Sequence, residues 1–244
     1  MSSSQNIALL ATKLARRDAL SPVERDVLSG LLGPERAIKA GGVLIAPGDR
    51  PSYSTFVVSG FCARFNLTAA GGRQLTEINV AGDFVDLHSM LMRQMDHGVV
   101  ALADCVVAYA QHADLRRLTE QHPHLGRLLW LETVIDGAIH RQWLVTMGRQ
   151  DAVSRLAHLV CELYRRLEAA GLASDGQVKI PMTQTDLGDV LGLTPIHVNR
   201  VLMELRREGL IEWKGVQVTI PEWDRLADFA LFDQTYLRLQ SDAV

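Results

Sequence analysis

The stretch DLGDVLGLTPIHVNRVLMELRREGLI, residues 186–211, decides how this chain is read. Thr183-Gln184-Thr185-Asp186 has the form of a capping box, so a helix is expected from there to Leu191, with Leu187, Val190 and Leu191 on its buried face. Gly188 leaves room for a second helix to cross closely, and Gly192 can take the left-handed backbone that ends the first. Leu193 then plugs the turn, Thr194 caps the next helix, and Pro195 takes its first position, where a missing N–H costs nothing. Val198, Val201, Leu202 and Leu205 form the inner face of that second helix. Two helices joined by a short turn containing glycine, with small and aliphatic residues at these offsets, make a helix-turn-helix. A chance pair of antiparallel helices shares some of these features and seldom all of them.

What the second helix leaves outside carries the chemistry. Ile196, His197, Asn199, Arg200 and Met203 face away from the apolar seam, mostly in the first two turns, the part of a recognition helix that reaches base edges. Arg200 can present a fork to guanine, Asn199 and His197 can reach adenine, guanine or phosphate, and Ile196 offers an apolar contact such as a thymine methyl. The plainer alternatives are an Arg200–Glu204 pair one turn apart and a His197 that merely faces solvent. Downstream, Glu212-Trp213 and residues 216–220 flank Lys214-Gly215 as a small hairpin, or wing, with Lys214 placed to meet a phosphate. The expected DNA-binding set is therefore Thr183, Gln184, Thr194, Pro195, Ile196, His197, Asn199, Arg200 and Lys214. Arg206 and Arg207 stand against Glu204, Glu208 and Glu212, a weakly basic balance that predicts salt-dependent binding of moderate strength.

A DNA reader needs a partner subunit, and the chain supplies a candidate device for one. After His122-Pro123, Leu125, Leu128, Leu129, Leu131, Glu132, Ile135, Ile139, Trp143 and Leu144 trace a stripe of helical period. A helix of about 25 residues is long for a globular protein and calls for an equally long neighbour, most simply the same helix of a second subunit. The other reading is one long core helix inside a monomer. Residues 148–151 interrupt the pattern as a short hinge, and Asp151 can cap a further helix to about Ala169.

Between about Arg36 and Gln111 the texture is different. Short runs at 43–46, 55–58, 61–66, 75–80, 99–102 and 105–110 are separated by Gly41-Gly42, Pro47-Gly48-Asp49, Ser59-Gly60, Gly71-Gly72 and Gly82-Asp83. Many short strands so spaced predict an antiparallel sandwich or barrel-like roll. Before them, Ser21-Pro22-Val23-Glu24 opens a short helix that Gly33-Pro34 stops.

Composition sets the outer limits. Hydrophobic residues at 48% and charged ones at 22% are those of a globular chain, and no run approaches the roughly 18 apolar residues of a membrane span. Lys13, Arg16 and Arg17 follow the first apolar run, the reverse of a secretory signal, so a cytoplasmic protein is expected. Cys62, Cys105 and Cys161 lie far apart without CxxC spacing, which points to small core residues rather than a disulfide framework or thiolate metal site. A net charge of −3 does not advertise a nucleic-acid binder, so any DNA-facing charge must be local.

In this order (roll, long helix, hinge, winged helix-turn-helix) the chain resembles the Crp/Fnr family of bacterial transcription regulators over nearly its whole length. Gly82-Asp83-Phe84, the helix from Pro123 to Met147 and the segment from Thr183 carry the likeness, the last most specifically. The resemblance implies an α+β protein: an N-terminal antiparallel β-roll (a double-stranded β-helix) over 1–122, a dimerisation helix and hinge over 123–150, and a winged helix-turn-helix over 151–244. It also implies a homodimer through residues 123–147, a palindromic double-stranded DNA operator, and a roll that senses a signal; contact with RNA polymerase stays open. No catalytic activity is implied.

Departures from the family bear on the ligand. Members that bind cyclic AMP carry Gly-Glu-Leu soon after the Gly-Asp-Phe turn and an Arg-Ser pair downstream; here Asp86-Leu87 and His97-Gly98 stand there. Leucine cannot hold a ribose hydroxyl and an added aspartate repels phosphate, so cyclic AMP is not expected. Iron–sulfur members supply four cysteines, most near the N-terminus, and three with none before Cys62 exclude that cluster. Haem would need axial ligands such as His88, His97 or Met92, and lone histidines of this kind are more often ordinary core or surface residues. No cofactor is expected; Asp86, His88 and His97 are the candidate effector-pocket residues. Ile196 replaces the acidic first-turn residue of cyclic-AMP-type members, so the operator should differ. The remaining alternatives are a cupin-like metal enzyme built on His88 and His97, which lack the close His-x-His spacing, and a regulator whose roll binds nothing.

Overall fold

In a computed structural model, residues 3–239 are described, with the backbone alone for 3–8. Over the described residues the chain divides into two compact units, one of 3–66, 77–137 and 238–239, the other of 67–76 and 138–237.

The first unit holds the roll, apart from the end of one strand and the start of the next, which fall in the segment 67–76. Its strands are β1 (Arg36–Ile38), β2 (Val43–Ile45), β3 (Tyr53–Ser59), β4 (Cys62–Leu67), β5 (Arg73–Asn79), β6 (Gly98–Ala101) and β7 (Cys105–Gln111). They form two sheets, β1-β7-β3 and β2-β6-β4-β5. Antiparallel register sets Phe56 beside Ala108 and Ala63 beside Val100. Ile45, Val57, Cys62, Val85, Met95, Val99, Ala101, Cys105 and Val107 meet between the sheets, which is why alternate strand positions are apolar. The helices α1 (Ser3–Ala15), α2 (Pro22–Ser29) and α3 (His112–Gln121) pack outside β3 and β7 with the start of α4 (Pro123–Arg149). Ser21 caps α2 in the expected box with Glu24.

Sequence periodicity did not reveal α1 or α3. In α3 only Leu115 and Leu118 are buried aliphatics, too few to show a period beside the longer pattern that follows Pro123.

The second unit holds α5 (Ala152–Ala169), α6 (Gln184–Leu191), α7 (Pro195–Arg207), α8 (Trp223–Phe229) and a small sheet of β8 (Gln177–Lys179), β9 (Glu212–Lys214) and β10 (Gln217–Thr219), ordered β8-β10-β9. The wing thus gains a third strand and a closing helix, both too short to announce themselves in sequence. Asp151 caps α5 by accepting from the Ser154 N–H, as expected. The expected break at 148–151 is narrower, because α4 runs through Gly148 to Arg149. Inside α5, Glu162 is wholly buried yet satisfied: Trp143 Nε1 and Tyr236 Oη donate to it at 2.9 and 2.8 Å, and Arg166 pairs with it at 3.1 Å.

The stripe expected to meet a second subunit mostly faces inward instead. Leu125, Leu128, Leu129, Ile135, Ile139 and Trp143 are buried within the chain, and Leu144 alone of the named aliphatics is strongly exposed. The apolar side chains α4 leaves outside are Trp130, Val134, Leu144, Val145 and Met147.

A Cβ at Gly188 would lie 2.5 Å from the Leu193 carbonyl oxygen and 3.8 Å from Val198 Cγ2, so the α6–α7 crossing has no room for one. Gly188→Ala is expected to push the helices apart at a cost of about 1–3 kcal/mol. Hydrogen exchange followed by mass spectrometry should show α6 and α7 amides exchanging faster while the β4 and β7 amides do not change; unchanged α6 rates would contradict the tight crossing.

Candidate nucleic-acid interface

Local capping builds the reading surface. Thr183 accepts from the Asp186 N–H at 3.1 Å and Asp186 accepts from Thr183 in return, the reciprocal box the sequence predicts. Gly192 ends α6 at φ 65°, ψ 38°, in the left-handed region, and its neighbour Leu193 donates its N–H to the Gly188 carbonyl at 3.0 Å. Thr194 caps α7 through the His197 N–H at 3.3 Å, with Pro195 next in line. Val198, Val201, Leu202 and Leu205 are buried as expected, which turns Ile196, His197, Asn199, Arg200 and Met203 outward; Ile196 is 71% exposed.

Thr183, Gln184, Thr194, Pro195 and Lys214 are exposed too, so all nine expected residues lie on the surface of one unit. The alternative pair of Arg200 with Glu204 does not form: Glu204 meets Arg207 at 3.9 Å, and Arg200 has no hydrogen-bond or ion-pair partner among the described residues. Arg206 instead donates to the Trp213 carbonyl and so fastens α7 to the wing. Lys214, at the wing tip beside Gly215 (φ 60°), pairs with Glu212 at 3.1 Å; both are exposed, and such a pair is cheap to exchange for phosphate. Arg73, on the segment 67–76 that belongs to this unit, bridges Asp186 at 2.8 Å and Asp189 at 2.7 Å and offsets the negative charge of α6.

The roll contains a second cluster, one the sequence reading missed. Arg64, nearly wholly buried, donates through Nε to the Val85 carbonyl at 2.5 Å and pairs with Glu77 at 2.5 Å and with Asp136 of α4 at 2.9 Å. Lys13 pairs with Asp83 at 2.8 Å and with Glu132, which also meets Arg17. A single arginine inside an apolar run was the only signal, and nothing in sequence names its partners at distances of 13 and 72 residues.

Of the expected effector residues, Asp86 is buried and accepts from the Thr55 N–H at 2.5 Å and from Ser89 at 3.3 Å. Burial raises its pKa to about 6, with the Thr55 and Ser89 hydrogen bonds and the Arg64 charge holding it back only in part. His88 and His97 do come together, their rings 5.1 Å apart, and His97 Nδ1 meets Asp96 at 2.7 Å. Among the described residues no group of three His, Cys, Asp or Glu side chains is placed to hold a metal ion, and no helix is long and apolar enough to cross a membrane.

An antiparallel roll, a long helix and a winged helix-turn-helix define a class of DNA-binding regulator. A Crp-like helix-turn-helix domain matches residues 154–229 and a cyclic nucleotide-binding domain matches residues 35–122. The transcriptional activator protein FnrL of Cereibacter sphaeroides is 27% identical over 199 residues, covering 80% of this chain and 79% of that one. The fumarate and nitrate reduction regulatory protein of Escherichia coli K12 is 26% identical over 213 residues, covering 86% and 84%. The fold matches that of FixK2 from Bradyrhizobium japonicum with a TM-score of 0.72 at 24% identity, over 86% of this chain and 98% of that one. The chain belongs to the Crp/Fnr family: it is a transcription regulator and not an enzyme, which sets aside the cupin-like alternative.

Asp136 titrates abnormally for the same reason as Asp86. Burial and the nearby Glu77 charge raise its pKa from 3.8 to about 7 against the pull of Arg64 and Lys13. The folded chain therefore holds these protons more tightly than the unfolded one, so between the ordinary carboxylate value and about 7 the contribution of Asp136 to stability falls as pH rises. Asp136→Asn, which cannot ionise, should gain on the parent chain between about pH 5 and about pH 8 in urea unfolding of the roll. A difference independent of pH would mean that Asp136 is an ordinary carboxylate.

Proposed function

We propose that the protein acts as a homodimer that sets its two α7 helices in successive major grooves of a palindromic operator, roughly 34 Å apart. The observation that carries this is the outward first half of α7, with Arg200 free of hydrogen-bond and ion-pair partners among the described residues and Ile196 bare. Within it we assign base reading to Ile196, His197, Asn199 and Arg200, backbone positioning to Thr183, Gln184, Thr194 and Pro195, and a phosphate contact to Lys214. Functionally we divide the chain into a sensor over 1–122, a dimerisation helix and hinge over 123–150, and the DNA-binding domain over 151–244.

The exposed positions of α4 support the dimer. Trp130, Val134, Gly137, Arg141, Leu144 and Gly148 follow one another at intervals of four and three, the spacing of a two-stranded coiled-coil seam. Trp130 and Leu144 are 70% and 72% exposed, with exposed Val134 between them on the same face. In a twofold dimer each is buried twice, at about 1.5–3 kcal/mol per side chain.

For the roll we favour an effector other than cyclic AMP, with Asp86, His88 and His97 as its candidate contacts. The residues do not fit a cyclic nucleotide. Leu87 lies in the apolar core, Asp86 is an acceptor already engaged, and a Cβ at Gly98 would meet the Phe65 ring at 2.3 Å, so that ring fills the space beside His97-Gly98. Three buried cysteines, of which Cys62 and Cys105 are close neighbours, likewise fall short of the four thiolates of a cluster.

Arg200→Ala, titrated by fluorescence anisotropy against a selected operator, should weaken binding by about 1–3 kcal/mol and relax preference at one base pair. A small, equal loss on every sequence would remove Arg200 from base reading. Trp130→Glu with Leu144→Glu should sediment as a monomer where the parent chain sediments as a dimer; an undisturbed dimer would place the seam elsewhere.

A further inference from the structure

We propose that Cys62 and Cys105 form a peroxide-sensitive dithiol, a modification site at which a two-electron oxidant closes a disulfide between the two sheets of the roll. This stands independently of the DNA reading. The two sulfurs lie 3.7 Å apart although 43 residues separate them in sequence, and both side chains are buried. Cys62 is the first residue of β4, paired with Ala101 of β6, and Cys105 is the first residue of β7, paired with Ile38 of β1. The pair therefore spans the gap between the sheets at the end where both strands begin. A disulfide needs the sulfurs about 2.05 Å apart, so closure asks for an approach of about 1.6 Å, within reach of side-chain rotation.

The turn above the pair holds this approach in place. Gly60 sits at φ 87°, and a Cβ there would fall 2.6 Å from Cys105 Cβ and 2.7 Å from the Asp104 carbonyl oxygen, so the 59–61 turn presses directly on Cys105. The Leu102 N–H donates to the Phe61 carbonyl at 2.9 Å and ties the segment before Cys105 to the same turn. Cys105 lies directly beneath the surface, because Asp104, one residue away, is exposed and pairs with exposed Lys39 at 2.7 Å. A hydroperoxide is little larger than water and needs only that edge to loosen.

The thiols divide the work. The hydrogen bond from Cys62 holds the Cys105 thiol below its usual range, while the same contact and burial push Cys62 above it. The Cys105 thiolate attacks one peroxide oxygen, forming an S–O bond as the O–O bond breaks and hydroxide (or alkoxide) leaves; the sulfur is oxidised and the peroxide reduced. The Cys62 sulfur then attacks the Cys105 sulfenic acid, forming the S–S bond, and its proton joins the departing hydroxide as water. Two thiols and one hydrogen peroxide give one disulfide and two waters. Cys161 has no such neighbour; burial pushes its thiol up to about 12, which makes it an internal control.

The test is treatment of the full-length reduced protein with hydrogen peroxide, alkylation with iodoacetamide under denaturing conditions, and non-reducing peptide mass spectrometry. Expected is one cross-linked pair carrying Cys62 and Cys105, removed by dithiothreitol, with Cys161 alkylated throughout. Cys62→Ser should stop the reaction at a Cys105 sulfenic acid that dimedone traps, and Cys105→Ser should leave Cys62 a free thiol. Sulfinic acid on either cysteine without the cross-link, both thiols unreacted at a peroxide level that oxidises Cys161, or no reaction at all would each overturn the proposal.

Discussion

The reading surface rests on the missing side chain at Gly188. With no Cβ there, the Leu193 carbonyl comes close enough for α6 and α7 to cross directly over the turn, and Gly188 accepts the Leu193 N–H in the same place. Everything that faces outward on α7 follows from this closeness. Val198 must sit under α6, so Ile196 and His197 on one side and Asn199 and Arg200 on the other are turned to water. Gly192 and Thr194 then set where α6 stops and α7 starts, and hence which turn of α7 leads. A larger residue at position 188 would move the recognition helix as a body rather than remove one contact, and base reading tolerates little displacement.

A helix with two demands on it explains α4. Its 27 residues span about 40 Å, and its inward positions supply Leu125, Leu128 and Leu129 to the roll's core and Trp143 to the buried Glu162 of α5. Those inward residues and the outward side chains Trp130, Val134 and Leu144 occupy different sides of one helix, so its hydrophobicity is spread around the axis. That is why the periodicity pointed to one stripe where the structure has two. Asp136 and Glu132 add charge at the roll side, where Arg64, Arg17 and Lys13 meet them. Such buried pairs are costly to break once formed, whatever their net contribution to stability.

Legibility in the sequence tracked the range of the interactions concerned. The helix-turn-helix was readable nearly residue by residue because capping boxes, a left-handed glycine and a first-position proline act within four residues of one another. The roll was readable as a class, since turn formers and alternation are local while pairing order is not. The Arg64 cluster and the Cys62–Cys105 approach were invisible, because the first depends on which strand and helix lie beside β4 and the second on which strands face each other across the roll. The stripe read as a subunit contact is mostly buried within the chain, and was unreadable for a related reason: an apolar residue carries no mark of whether its own chain or another buries it. Asp86, His88 and His97 were placed in one segment by sequence, and the structure gives Asp86 partners of its own while bringing the two histidine rings within 5.1 Å at a tilt of 40°.

Charge decides how such a surface has to work. The chain is acidic overall, at −3, and around the reading helix Lys214 is matched by Glu212, Arg207 by Glu204 and Glu208, and Arg73 by Asp186 and Asp189. Long-range steering to a polyanion is therefore weak, and surface pairs of this kind are in any case screened at ordinary ionic strength. On the proposed reading affinity comes instead from groups with no competing partner among the described residues, chiefly Arg200, together with the exposed apolar Ile196. A single such module holds DNA loosely. In the proposed homodimer, joining two of them through the exposed face of α4 makes the second engagement intramolecular, so that the pair holds DNA more tightly than one module can.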